Sequence, residues 1–313
     1  MMKLQHTTGK AKGYMALVVT SIVWGTTWIA SKKAVDEMPA LQLAAIRQLI
    51  AVIMFILFFM GYKKMPLPNF KQLAWISLMG VLMFVFANGL SVWSLNYIPA
   101  GLSALIGAMY PLSVVLIEMI FFKKKQGSII TFIGLFLGIM GIVIVFYENA
   151  FHQHPPGFLF GVFLSVSAML GWSSGTILIA RNKLKINPYY SIGWQMGIAG
   201  ILLLVFAKST KPLMAIQDIS LTAWLLIGYL VVAGSIISFV AFIYSVKKLP
   251  MEIASLYAYI NPLVAMVAAP IFIPDEKLTI FILWGAIVTL SGVFLVNYSI
   301  RRNAKKIIAE PEQ

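Results

Sequence analysis

Long apolar runs separated by short polar stretches fill almost the whole chain. A helix needs about 20 apolar residues to cross roughly 30 Å of hydrocarbon. Ten runs meet that length: residues 14–34, 40–62, 72–96, 99–122, 128–147, 157–180, 189–207, 221–246, 250–273 and 278–299. None breaks into the alternating segments of about 10 residues that a membrane barrel would show. Helices satisfy their own backbone groups, as a hydrocarbon solvent demands. The pattern therefore predicts an all-α integral membrane protein with ten transmembrane helices.

The runs repeat. Pro99 and Pro111 return 151 residues later as Pro250 and Pro262, and Gly134 and Gly141 return as Gly285 and Gly292. Runs one and six align at an offset of 148, with Trp24-Gly25-Thr26 over Trp172-Ser173-Ser174 and Arg47 over Gln195. This divides the chain into five-helix copies at 1–150 and 151–313, joined by the polar stretch from Glu148 to Pro156. Five crossings per copy force the second to enter the bilayer from the opposite side. Inverted repeats of this kind are the sequence signature of alternating-access transport.

Composition narrows the class. Hydrophobic residues make up 60% of the 313 and charged residues only 11%, against about 25% charged in ordinary soluble domains. The formal net charge of +14 lies in short segments between runs and forms no basic domain, which excludes nucleic acid as a partner. It reports topology instead. With the N-terminus inside, 18 Lys and Arg fall on the cytoplasmic side, among them Lys63, Lys64, Lys123, Lys124, Lys125, Arg181, Lys183, Lys185, Lys247 and Lys248. Lys32, Lys33, Lys208, Lys211 and Lys277 make 5 outside. The positive-inside rule then predicts both termini in the cytoplasm and a location in the cytoplasmic (inner) membrane. The run from Tyr14 is too long for a signal-peptide core of about 7–15 residues. Cysteine is absent, and the histidines are His6, His152 and His154, so no metal site is expected and no cofactor is called for.

Several polar and aromatic residues sit where lipid cannot solvate them. Thr20, Trp24, Thr27 and Ser31 recur at helical spacing on one face of the first run, with Trp28 a turn after Trp24. Trp24 lies about 15 Å deep at 1.5 Å per residue, too deep for the interfacial tryptophan belt. Trp172 repeats it in the sixth run. Asn88 with Ser91, and Ser235 with Ser238 and Ser245, add polar positions to runs three and eight. Serine either faces a path or bonds back to its own helix; asparagine costs more to bury. Pro111 and Pro262 each remove one helical hydrogen bond, and the freed carbonyl must face protein or a watery cavity. Tyr110 and Asn261 immediately precede them, with Tyr257 and Tyr259 nearby. These residues form the expected substrate pathway, with Pro111 and Pro262 as helix breaks.

Two charges lie inside runs. Arg47 either holds a carboxylate or phosphate through paired hydrogen bonds, or snorkels and ties neighbouring helices together. Glu118 either pairs with one of Lys123 to Lys125, or titrates as a proton-coupling group. The glycine-bearing, nearly apolar runs five and ten read as scaffold or as the surface of a homodimer.

The Trp24-Gly25-Thr26-Thr27-Trp28 stretch, Arg47, the Pro99…Tyr110-Pro111 spacing, and Asn261-Pro262-Leu263 followed by Asp275-Glu276-Lys277-Leu278 resemble the EamA-like branch of the drug/metabolite transporter superfamily. The resemblance covers about residues 14–299. It implies ten helices in two inverted repeats that move small metabolites or amino acids, often outward. One departure stands out: the acidic residue after the fourth helix of a copy is Glu276 in the second, while the matching position of the first is Lys125.

The nearly neutral, aromatic path predicts a small neutral or zwitterionic solute, an amino acid or hydrophobic metabolite, exported by a secondary transporter. A passive channel or an uptake carrier of the same fold is the alternative. A non-transporting sensor lacks an output domain. A membrane enzyme lacks a catalytic cluster in its loops.

Overall fold

The computed structural model describes residues 2–122, 128–152, 156–181, 184, 186–249, 251–254 and 256–309. Lys123 to Lys125, Lys183, Lys185, His154, Pro155, Pro250 and Ser255 lie outside them, as do the side chains of Lys3, His6, His152, Lys305 and Lys306. The described residues are helical and contain no strand. In chain order the helices are α1 (Met2–Glu37), α2 (Ala40–Tyr62), α3 (Phe70–Ser94), α4 (Ala100–Phe122), α5 (Ile129–His152), α6 (Phe158–Arg181), α7 (Pro188–Thr210), α8 (Leu221–Lys248), α9 (Tyr257–Phe272) and α10 (Ile280–Ala309). Eight are long and apolar enough to cross a membrane; the apolar stretches Ile129–Val145 of α5 and Tyr257–Phe272 are shorter.

Local sequence explains where helices start. Asn69 and Gln72 form a reciprocal capping box at α3, and the Asn187 side chain accepts from Tyr189 and Tyr190 ahead of α7, with Pro188 at its first position. Ser220 caps α8 through the Ala223 N–H at 3.1 Å and donates to Glu37 at 2.7 Å. Pro99, ahead of α4, offers no side-chain cap. Glu276 fills that place from the loop between α9 and α10, its two carboxylate oxygens 2.8 and 3.0 Å from the Ala100 N–H. Three helices run longer than hydropathy predicts: α1 at its start, and α5 and α10 at their ends, the last two continuing through polar residues to His152 and Ala309. No proline or positive-φ residue stops either at the membrane boundary.

Several helices are irregular. π-helical turns occupy Leu57–Tyr62 of α2, Val81–Leu90 of α3 and Leu230–Ile237 of α8. α4 is interrupted at Met109, between Ala100–Ala108 and Tyr110–Phe122. In the run predicted at 250–273, a single helical turn Met251–Ala254 precedes Leu256 and then α9. Pro262 lies inside the unbroken α9, together with Pro270. A proline removes one bond of its helix without ending it, so the interruptions do not coincide with both prolines.

The helices pack in a recurring scheme. α1 packs on α8 and α9, and α6 packs on α3 and α4. α2 packs on α7, and α5 on α10. Glycines bring the last two pairs close. A Cβ on Gly134 would lie 2.7 Å from the Gly292 carbonyl oxygen, and one on Gly141 would lie 2.6 Å from that of Gly285. The early part of α5 thus meets the late part of α10, so the two run antiparallel. Ser128 and Thr131 continue the seam to Ser299, and Tyr147 meets Phe281 at its other end. On α7, a Cβ on Gly193 would fall 2.5 Å from Phe55, one on Gly197 2.9 Å from Val52, and one on Gly200 2.8 Å from Leu49. This pair is antiparallel too. Exposed Ile, Leu, Val and Phe side chains on the outer faces, such as Phe136, Ile139, Val205 and Phe294, meet lipid.

Gly141→Val places a branched side chain against the Gly285 carbonyl. We expect it to destabilise the protein by at least about 1–3 kcal/mol, read as a lower unfolding temperature in detergent. Gly61→Ala, in open space, should leave that temperature unchanged.

Candidate functional site

A cavity of about 170 Å³ opens among α1, α2, α3, α4, α6, α8 and α9. Its floor is aromatic. The Trp24 ring lies edge-on to Trp172 at 6.2 Å, to Phe239 at 5.0 Å and to Tyr257 at 5.4 Å between centroids. Tyr110 stacks on Tyr257 at 6.4 Å. The Trp24 indole N–H donates to the Gly234 carbonyl at 3.1 Å, within the π-helical part of α8. That one bond fixes the indole at the meeting point of α1 and α8.

From this floor the cavity extends past Trp28 and Ser31 on α1, Ser91 and Leu95 on α3, and Ser103 on α4. These positions approach the membrane face that holds Glu37, Ser94 and Ala100. At this end Ile29, Leu95, Ala100, Ala268, Ala269 and Ile273 form an apolar cluster. Lys32 reaches across this end and donates to the Leu95 carbonyl at 2.6 Å. Serines stitch the wall: Ser103 bonds Ser94 and Ser165, each at 3.0 Å, and so joins α3, α4 and α6.

The polar wall is sparse. Gln48 donates its amide N–H to the Asn88 side-chain oxygen at 2.9 Å. The Asn261 side-chain oxygen is buried without a hydrogen-bond partner. Arg47 is 5% exposed and donates from Nε to the Ser235 hydroxyl at 2.8 Å. It is the only charged residue among the described residues that line the cavity.

The structure thus brings Trp24, Thr27, Trp28, Arg47, Asn88, Tyr110, Trp172, Tyr257, Asn261 and Pro262 around one space. Four expected residues lie elsewhere. Ser238 is fully buried and bonds back to the Ala233 carbonyl at 2.8 Å. Tyr259 points to α10, where its hydroxyl donates to the Val293 carbonyl at 3.2 Å and takes the Asn297 amide. Pro111 is buried next to the α4 interruption but off the cavity wall. Glu118 lies outside the cavity with Arg181 at 3.6 Å, and that guanidinium also covers the Phe122 ring. Thr27 lines the cavity while its hydroxyl returns to the Trp24 carbonyl at 2.7 Å, so it offers mainly its methyl group.

Sequence reasoning passed over Gln48, Phe239, Met83 and Phe84. Gln48 carried a usable signal, a second polar residue beside Arg47 within an apolar run. The other three are apolar among apolar residues and carried none.

Outside the spans, burial raises the carboxyl of Glu276 above its ordinary value, while the Ala100 N–H and the Lys32 charge pull the other way and Asp36 adds to the rise. The folded state therefore holds this proton more tightly than the unfolded chain.

An all-helical, multi-span protein with a solute-sized aromatic and amide-lined cavity at its centre belongs to the class of membrane transporters. The model of the EamA-like transporter family matches residues 11–147 and again 159–298, and the chain belongs to that family. The uncharacterized inner membrane transporter YedA of Escherichia coli K12 is 28% identical across 80% of this chain and 79% of its own. The uncharacterized transporter YvbV of Bacillus subtilis is 27% identical, covering 92% of each. A probable amino-acid metabolite efflux pump of Escherichia coli K12 is 23% identical across 94% of this chain and 98% of its own. A protein of known crystal structure shares the fold at a TM-score of 0.60 and 14% identity, covering 95% of this chain and 98% of its own.

For Glu276 the sign of the pH effect follows from its raised value. The carboxyl's contribution to stability is greatest when it is protonated and is lost as pH rises from the ordinary carboxylate range, about 4.3, through the raised folded value. Glu276→Gln keeps an acceptor for Ala100 and should flatten this part of the pH profile of thermal unfolding. Glu276→Ala removes the cap and should cost about 0.5–2 kcal/mol.

Proposed function

We propose that this protein is a secondary transporter that carries a small neutral or zwitterionic metabolite through the central cavity by alternating access. The observation that carries the reading is the composition of the cavity wall. Trp24, Trp28, Arg47, Asn88 and Tyr110 come from the first half of the chain, and Trp172, Phe239, Tyr257 and Asn261 from the second. A site on the seam between two halves is where rocking of one against the other changes access.

The reading includes ten crossings in two inverted copies, residues 1–150 and 151–313. The double match to one family model supports it. So does the packing: exchanging each helix with the one five places along turns the α1 contacts on α8 and α9 into those of α6 on α3 and α4. The matching helices α5 and α10 run antiparallel, as do α2 and α7, which is what an inverted copy requires.

With both termini cytoplasmic, as the Lys and Arg distribution favours, the aromatic floor lies between the cavity and the cytoplasm. The Lys32 and Glu276 contacts then sit at the outer end. Export fits the relative named as a probable amino-acid metabolite efflux pump.

Two measurements test this. In proteoliposomes, Asn88→Ala and Asn261→Ala should each lower the transport rate about tenfold, the loss of one buried hydrogen bond to the solute; Asn261→Ala should unfold near the parental temperature, and Asn88→Ala somewhat below it because the Gln48 N–H loses its acceptor. Parental transport in both variants would refute the site. Because the chain has no cysteine, single cysteines report topology directly. Lys64→Cys should be labelled from the cytoplasm and Lys211→Cys from outside; labelling of both from one side would refute the inverted arrangement.

A further inference from the structure

The charge at Arg47 narrows the choice of solute. A buried guanidinium is costly unless it is paired or well hydrogen-bonded. Arg47 is 5% exposed, yet its hydrogen bond goes to a neutral hydroxyl, Ser235, through Nε. No acidic residue lines the cavity among the described residues. The ion pair that the structure gives between spans, Glu118 with Arg181, lies outside the cavity. A structural arginine would be expected to find a carboxylate or a set of carbonyls within the fold. Arg47 lines a space large enough for a small solute, with Nε held by Ser235 and one terminal nitrogen lying beside Gly234 of α8. A guanidinium fork fits a planar carboxylate through two parallel N–H donors.

A second group points the same way from another helix. The Asn261 side-chain oxygen is a buried acceptor with no donor inside the protein. An unsatisfied buried acceptor costs stability, and a solute N–H arriving there would remove that cost. The same cavity is lined by the mutually packed rings of Trp24, Tyr257 and Tyr110, which suit an apolar body or an ammonium group.

We infer that Arg47 is the carboxylate anchor of the transport site and Asn261 the acceptor for an N–H donor, so that the solute is a small amino acid-like zwitterion and not an uncharged metabolite. This rests on the transporter reading above and sharpens it. The described cavity wall carries one positive charge, Arg47, and a zwitterion's carboxylate neutralises it while its ammonium is held away from the guanidinium. An amine without a carboxylate would meet an uncompensated like charge.

The test uses the full chain in detergent and in proteoliposomes, with the twenty common L-amino acids as probes. For any acid that stabilises the protein or is exchanged in counterflow, its carboxamide and its decarboxylated amine are compared. The parent should prefer the acid over both by about tenfold or more, as expected for a charge-assisted pair. Arg47→Gln, which keeps a donor for Ser235, should reduce that preference to near unity. Arg47→Lys should recover part of it, since it restores the charge without the fork. Asn261→Ala should leave the acid-over-amide preference intact and weaken discrimination between an amino acid and its deaminated acid. A purely structural Arg47 would lower the unfolding temperature without changing the preference, and that outcome overturns the inference. Equal handling of acid, amide and amine by the parent also overturns it. So does a failure of all twenty acids to bind or exchange. Counterflow of uncharged solutes, sugars or nucleosides, would in that case leave the transporter reading standing while removing this one; absence of counterflow for every solute would remove both.

Discussion

Hydrocarbon offers no hydrogen bond to a peptide group, and this constraint decides where the fold is free to be irregular. The lipid-facing helices α5 and α10 are regular over their lengths. The interruption of α4 and the π-helical turns of α3 and α8 lie beside the cavity instead, where protein groups take up what the helix releases. The Gly234 carbonyl receives the Trp24 indole, and the Ala233 carbonyl receives the Ser238 hydroxyl. π-helical turns are rare and gather at functional sites; two of the three occupy corresponding stretches of α3 and α8, and the third closes the end of α2 away from the cavity. The aromatic floor is therefore attached to backbone that departs from the ordinary helix, and the polar wall grows from the same stretches through Asn88 and Ser235.

The fold class was largely written in hydropathy, because span length is a direct response to bilayer thickness. The cavity was legible where a residue type conflicts with lipid: Trp24 deep in a run, Asn88, Asn261 and Arg47. It was misread where a side chain's direction depends on the rotation of its helix. Tyr257 and Tyr259 are two residues apart, so on a helix of 3.6 residues per turn they face nearly opposite ways. The first meets Trp24, and the second meets Asn297. Ser238 follows a π-helical stretch, and each wider turn shifts the register by which faces are counted. Run length also failed to show that the Pro262 helix would be divided ahead of its proline, at Leu256 and not at the proline itself.

Charge was harder to place than apolarity, because partners far apart in sequence meet only after folding. In sequence Glu118 reads as a partner of the adjacent lysines or as a proton-coupling group; Lys123 to Lys125 lie outside the described residues, and Arg181 on α6 stands 3.6 Å from it. Glu276 was noted only as a break in the repeat. In the fold it has a definite role, because Pro99 leaves the start of α4 without a side-chain cap and a carboxylate from the other half supplies it. Local deficiency in one half and local surplus in the other are joined across the seam, which sequence comparison within a single half could not reveal.

The two glycine crossings have a consequence of their own. On the inverted-repeat reading, swapping the conformations of the halves converts one access state into the other. Contacts of α1 with α8 and α9 then trade places with those of α6 with α3 and α4. Gly134 against Gly292 maps onto Gly285 against Gly141, and Val52 against Gly197 maps onto Gly200 against Leu49. Within each helix pair the two contacts are images of each other. On that same reading they flank the pseudo-twofold and survive the exchange, which would leave two fixed pivots whose close fit never has to be rebuilt.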